Sequence, residues 1–399
     1  MATKKHNKKK NQRQGRQSAV ILAIVVILVI AAIAVLLYLN RDKVRDYIDK
    51  WFDDISTSDE DSSRSESSDS LSGEDPSHSE ILTAGDVEIH FLELGNKYTG
   101  DCTYIRVGDI DILIDAGSRQ SSAATISAYL DRYITDGVIE YVIATHAHQD
   151  HIAGFVSTQT CDSIFKRYEC KNIIDFALTN AESKIYTGYI AERNAEVEAG
   201  ATHYTAAEMI LSDKAEIDLG NGVKMTILDN YYYYNESSDE NNYSVCMLLT
   251  QGSFHYLFTG DLEADGEKRL VQLNDLPEVE LFKAGHHGSY TATTDALLSV
   301  IKPKRVAVCC CAGSTEYTKN PLNTFPSQAF CDRVAPYTKE VYVTTMATDT
   351  GFKPFNGNII IEGKNGIITV TCSENNTWLC YTAWFKENRT CPPEWKNED

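Results

Sequence analysis

Seven residues at 145–151, THAHQDH, place three histidines and an aspartate directly behind IEYVIA (139–144), a β-branched run that reads as a buried strand. That junction constrains the fold. The strand belongs inside a sheet, and the side chains that follow gather at its end, where sheet proteins place chemistry. His146 and His148 are two apart, so an extended or turning backbone points both to one side, while the adjacent Asp150 and His151 diverge toward a second centre. Imidazole nitrogen and carboxylate oxygen are common ligands of divalent ions, and the pattern fits two ions rather than one.

Two further strand ends carry the same residue types. FHYLFTGD ends in Asp261 behind a glycine that lets the backbone turn, and VELFKAGHHGS carries His286 and His287 between two glycines. Five of the ten histidines lie in HAHQDH and GHH, and that concentration argues for one site. Beside the histidines, Asp261 reads as a carboxylate able to bridge two ions.

The order of elements points to an α/β (α+β) chain. VEIHFLEL (87–94), CTYIRV (102–107) and IDILIDAG (110–117) read as strands, with a hairpin turn at Gly108-Asp109. SAATISAYLDRYI has helical spacing. Later strands are KNIIDFAL, VKMTILDN, YSVCMLLT, FHYLFTGD, VELFKAGHH, KRVAVCCC, EVYVTT and the hairpin NIIIEGKNGIITVT. EADGEKRLVQLN, TTDALLSVI and PSQAFCDRVAP read as helices. Strand meanders at both ends with interspersed helices predict two packed sheets with helices outside, an αββα sandwich.

THAHQDH, TGD and GHHGS, in this order and each at a strand end, resemble the metallo-β-lactamase superfamily. The finer pattern LIDAG, THAHQDHIAGF, NNYSVCMLL, FTGDLE, KAGHHGS is similar to its competence-protein (ComEC/Rec2) type hydrolase branch, over about residues 87–371. The resemblance implies two divalent ions, zinc or manganese, at one edge of the sandwich. It implies His146 and His148 as ligands of the first, Asp150 and His151 of the second, and Asp261 as the bridge. His286 and His287 would supply a further ligand and a proton donor, in an order the sequence leaves open. Asn241, Asn242 and Ser244, which match an Asn-Asn-x-Ser stretch of that branch, and Ser289 are the candidate substrate contacts.

The chain also departs from the family. Many members have another ligand histidine between the first motif and the bridging aspartate. His203 in GATHYTAAE is the one candidate here, and with no clear strand end beside it His203 reads as a surface or packing residue. Branch members often carry a His-Pro segment after GHHGS, where this chain has NPLNTFPSQ. Competence proteins add a multi-span channel, whereas one span is expected here, so DNA transport is not expected.

That span is SAVILAIVVILVIAAIAVLLYL (18–39), uncharged, apolar and long enough to cross a bilayer as a helix. It is too long for the apolar core of a cleaved signal peptide. Seven Lys/Arg precede it, from Lys4 to Arg16, against Arg41, Lys43 and Arg45 directly after, which keeps the N-terminus cytoplasmic and the rest outside. The expected organisation is a basic N-terminus (1–17), a signal-anchor (18–39), an acidic Ser-rich tether (40–83), a hydrolase domain (84–372) and a Cys/Trp-containing tail (373–399).

Charge and cysteine bound the partners. Residues 83–399 hold 44 acidic and 25 basic side chains within a chain of net charge −20, so bulk attraction to a polyanion is missing. Lys166, Arg167 and Lys171 are too few to make a basic groove. Eleven cysteines show no CxxC spacing. Cys161 with Cys170, or the tail cysteines, could pair outside the cell, while VAVCCCA reads as a buried strand.

Metal-assisted hydrolysis is the reaction class these residues support. The leading substrate is a phosphodiester in DNA or RNA, and the alternative is an envelope phosphodiester such as phosphocholine on teichoic acid. A third reading is an inactive surface-binding protein using YYYY (231–234) or Trp378, Trp384 and Trp395, although aromatic runs more often pack. No protein partner can be inferred.

Overall fold

The computed structural model describes residues 85–396. The expected span at 18–39 and the tether lie outside the described residues. Among the described residues no helix is long and apolar enough to cross a membrane.

Among the described residues sixteen strands form two eight-stranded sheets. The first contains β1 (Val87–Phe91), β2 (Thr103–Val107), β3 (Ile110–Ile114), β4 (Val138–Ile143), β5 (Glu169–Asp175), β6 (Thr202–Thr205), β15 (Ile359–Lys364) and β16 (Ile367–Cys372). Their order is β16-β15-β1-β2-β3-β4-β5-β6. The second contains β7 (Glu216–Asp218), β8 (Val223–Ile227), β9 (Met247–Gln251), β10 (Phe254–Phe258), β11 (Leu281–Lys283), β12 (Val306–Ala312), β13 (Val341–Thr348) and β14 (Gly351–Pro354). Their order is β14-β13-β12-β11-β10-β9-β8-β7. Each sheet joins an antiparallel meander to a parallel set, β3 to β6 in one and β10 to β13 in the other.

Period-2 alternation builds the layers. Tyr256 and Phe258 of β10 pack into the core shared with the first sheet, where Phe91 and Phe258 have ring centroids 6.4 Å apart. Leu257, between them, belongs to a second cluster on the opposite face. The same alternation runs along β12, with Ala307 and Cys309 in the shared core and Val306, Val308 and Cys310 in the outer cluster. Helices 264–273, 295–301 and 328–334 cover that outer face through Leu270, Leu297, Leu298, Ile301, Phe330 and Val334. The helix at 122–130 covers the first sheet with Ile126 and Leu130. Two sheets between helical layers is the predicted α/β sandwich.

Three features differ from expectation. Residues 184–199 form the longest described helix, capped by Ser183, whose Oγ accepts from Tyr186 N at 3.0 Å, and closed by Gly200 at φ 125°. Tyr189 is its one buried side chain, so no apolar stripe announced it. The segment around His203, which reads as having no strand end, is β6, pairing with β5 in register His203–Ile173. The C-terminal segment is docked: Leu379, Trp384, Phe385 and Trp395 are buried in the outer cluster of the second sheet. The cysteine pairing considered above is not formed. All eleven thiols are free, and Cys309, Cys310 and Cys311 are buried in β12.

Candidate metal centre

Parallel strands deliver the candidate ligands to one edge. β4 runs into Thr145 and His146, β10 into Asp261, and β11 into His286 and His287, each just past the C-terminal end of its strand. Close backbone approach makes this possible. Gly260 has φ 54°, and a Cβ there would lie 2.8 Å from Ser244 Oγ; a Cβ on Gly100 would lie 2.8 Å from Asp150 O. Asp115, His286 and His287 take left-handed backbone with φ 60°, 46° and 55°. For side chains with a Cβ that conformation is strained, and it occurs here at the edge where the candidate ligands gather.

His146 Nε2 and His148 Nδ1 stand 3.0 Å apart, the two nitrogens turned to one point. The second group is deeper. Asp261 Oδ2 lies 3.1 Å from His151 Nε2 and 3.2 Å from His287 Nε2, and Asp150 Oδ2 lies 3.3 Å from His287 Nε2. The His146 and His151 rings are 4.2 Å apart between centroids, so the two groups are contiguous. His151 and His287 are fully buried, and Asp261 nearly so.

The far side of each deep imidazole is held by carboxylates and a carbonyl. His151 Nδ1 donates to Asp115 Oδ2 at 2.7 Å, and Asp115 in turn accepts from Thr145 N and Oγ1 at 2.8 and 2.9 Å. His287 Nδ1 donates to the Cys309 carbonyl at 2.9 Å, where the register of β12 against β13 shifts, and lies 3.1 Å from Asp101 Oδ1. Both Nε2 atoms thereby face the centre as acceptors when the ring is neutral, the outer-shell arrangement that orients metal-binding histidines.

Charge is dense. Burial raises the Asp261 carboxyl, but His151 and His287 outweigh it and hold it well below the usual range. Asp150 follows the same balance, with burial opposed by the facing His287 imidazole, 3.3 Å away, and the charge of His151. Burial pushes His146 well below the ordinary imidazole value, assisted by His151, so this ring is neutral. For His151 and His287 burial acts downward, but the facing Asp261 carboxylate, with Asp115 for the first and Asp101 for the second, raises both well above the usual value.

Asp101, His151, Asp261 and His287 offer ligand atoms within 4.8 Å of one another. His151 Nε2, His287 Nε2 and Asp261 Oδ1 are buried and make no hydrogen bond, a costly condition that a divalent ion relieves. The donor set therefore fits divalent metal ions. Asp101 stands apart from the other three. Its carboxylate is ion-paired with buried Lys283 and faces the Nδ1 side of both imidazoles, so it holds ligands rather than acting as one. Asp150, on the Nε2 side, is the better fourth donor.

His287 and His286, equivalent in the sequence, separate here. His287 is buried with its Nε2 in the cluster. His286 sits at the rim, Nδ1 3.2 Å from Glu263 Oε1 and 3.0 Å from Thr291 Oγ1, with Nε2 3.9 Å from Asp261 Oδ2. His203 is elsewhere: its Nε2 meets Asp175 Oδ1 at 2.8 Å, a buried carboxylate that also binds Arg193 and Tyr189.

The four candidate substrate contacts are engaged with the protein. Ser244 Oγ accepts from Asp261 N at 3.1 Å and is 3.5 Å from His146 Nδ1. Asn241 Nδ2 donates to Glu263 Oε1 and Asn242 Nδ2 to Ser237 Oγ, both at 3.2 Å. Ser289 Oγ pairs with Thr291 Oγ1 at 2.9 Å. Sequence reasoning missed Asp101, Lys283, Asp115, Glu263 and Tyr317. Of these, Asp115 in LIDAG, Glu263 in FTGDLE and Lys283 in KAGHHGS lie inside quoted motifs and could have been singled out.

Residues 95–157 match the family model described as the metallo-beta-lactamase superfamily. The chain is also similar to competence proteins of the ComEC/Rec2 type. It is 24% identical over 175 residues to ComE operon protein 3 of Bacillus subtilis (strain 168), covering 43% of this chain and 20% of that protein. It is 26% identical over 280 residues to Recombination protein 2 of Haemophilus influenzae, covering 69% of this chain and 30% of that protein. The chain thus spans under a third of the length of these relatives. Among solved structures it is similar to the metallo-beta-lactamase fold protein YhfI of Bacillus subtilis, at 12% identity and a TM-score of 0.41, covering 70% of this chain and all of that one.

Proposed function

We propose that the chain is a metal-dependent phosphodiesterase, held by an uncleaved N-terminal span with its catalytic domain outside the cytoplasm. The observation that carries the activity is the convergence of two His/Asp groups at one strand-end edge, with buried His151 Nε2, His287 Nε2 and Asp261 Oδ1 left without hydrogen-bond partners. Two divalent ions, zinc or manganese, would supply a water nucleophile at neutral pH and offset charge on the attacked group. His146 and His148 would hold one ion, Asp150, His151 and His287 the other, and Asp261 both. Asp150, kept ionised, would also orient the attacking water. His286, at the rim on Glu263 and Thr291, is placed to donate a proton to the departing oxygen.

Likeness to competence proteins favours nucleic acid as the substrate. Charge favours the second reading, a small envelope phosphodiester such as a phosphocholine ester. The chain carries −20, and Lys166, Arg167 and Lys171 are each paired with an acidic side chain, so none is free to line a groove for a polyanion. The purified chain, loaded with zinc or manganese, should be assayed against single-stranded DNA, bis-p-nitrophenyl phosphate and phosphocholine esters. Turnover of either of the first two supports the leading reading, and turnover of the third alone supports the second. No turnover by metal-loaded protein would leave a binding protein of this fold.

A further inference from the structure

We propose that Tyr317 is a substrate-contacting residue of this centre, its phenol donating a hydrogen bond to a phosphoryl oxygen of the bound diester; this rests on the phosphodiesterase reading above. Tyr317 belongs to the segment 313–324 that follows β12. Its hydroxyl donates to Asp150 Oδ2 at 2.5 Å, and that same oxygen lies 3.3 Å from His287 Nε2. The phenol therefore stands one hydrogen bond from the point on which the deep ligands converge.

The placement is supported from two sides. The Tyr317 ring packs on Phe325 with centroids 5.4 Å apart, and Phe325 packs on His286 and His287 at 5.7 Å each. The neighbouring Glu316 accepts from Thr99 N at 3.1 Å and from Arg119 Nη2 at 2.7 Å, while the Arg119 guanidinium lies 3.6 Å over the Tyr98 ring. These contacts tie the segment to the strand-end loops at both Glu316 and Tyr317. Yet Tyr317 is 49% exposed, whereas Asp150 is 8% exposed. Asp101, Asp115, Thr145 and Lys283, which surround the deep ligands, are all buried. A side chain with its hydroxyl at the ligands and its ring edge in solvent sits at the mouth of the site. An anionic group entering from solvent to reach Asp150 meets this hydroxyl. By rotating its one O–H from Asp150 Oδ2 to the entering phosphoryl oxygen, the phenol places a neutral donor on an oxygen that gains charge. No change in protonation of the phenol is required.

The test is Tyr317→Phe in the full-length chain, which keeps the ring on Phe325 and removes the donor. Three quantities are read on metal-loaded protein: bound metal by elemental analysis, affinity for inorganic phosphate by calorimetry, and kcat/KM for bis-p-nitrophenyl phosphate. Unchanged metal content and melting temperature, with phosphate affinity and kcat/KM each lowered roughly tenfold or more, is the expected result. Metal loss in step with activity would make Tyr317 a support for Asp150 and overturn the proposal, as would unchanged phosphate affinity. If the wild type binds phosphate but turns over no diester, and Tyr317→Phe still weakens phosphate, the contact stands and the phosphodiesterase reading fails.

Discussion

The Asp101 carboxylate and the Lys283 ammonium form a buried ion pair behind the imidazole of His287. The pair is costly to desolvate; Lys283 Nζ also reaches the Ala284 carbonyl at 3.2 Å, and Asp101 Oδ1 lies 3.1 Å from His287 Nδ1. Burial acts against charge on both groups, yet each holds its partner ionised, Asp101 below and Lys283 above its usual value.

Breaking that pair from one side should therefore be severe. Lys283→Met leaves Asp101 charged and buried, at a cost of about 3–5 kcal/mol in unfolding free energy. Adding Asp101→Asn should restore a good part of that loss. Chemical denaturation of the two variants checks this, and equal destabilisation in single and double variants would contradict the pairing.

Asp261→Asn should weaken metal binding and reduce turnover by at least about a hundredfold, because its carboxylate faces both His151 and His287 Nε2. Bound metal and kcat measured together are the check, with circular dichroism showing that the sheets persist.

The two adjacent histidines should behave differently. His287→Ala removes a buried ligand and should abolish metal binding at the deep position, whereas His286→Ala should keep the metal and lower kcat alone. Elemental analysis separates them, and metal loss in His286→Ala would reverse the assignment.

His203→Ala should leave metal content and turnover near wild type. It should still cost about 1–2 kcal/mol of stability, since one oxygen of buried Asp175 loses its partner while Arg193 and Tyr189 hold the other. Activity lost as completely as in Asp261→Asn would show that His203 is a ligand.

Protease added to intact cells should remove the folded domain while the N-terminal segment stays with the membrane. Protection of the domain would reverse the topology expected from the basic residues before the 18–39 run.

The sequence by itself determined the two-sheet sandwich and the candidate ligands drawn from short motifs. Within HAHQDH, TGD and GHH the spacing of a few bonds fixes which side chains converge, and strand periodicity is a local property of the chain. Tertiary structure alone decided the rest. His286 and His287 are interchangeable in the sequence; left-handed backbone at both, and the Cys309 carbonyl from β12, turn only His287 inward. Asp101 and Lys283 lie 182 positions apart, and no periodicity announces their contact, which exists because β2 and β11 belong to facing sheets. Tyr317 reaches Asp150 across 167 positions for the same reason. Trp384 and Trp395 look like a tail until the second sheet and its helices assemble the apolar cluster that these two side chains join. Local patterns encode which face of an element is buried; which distant side chain meets it there is set only when the sheets pack.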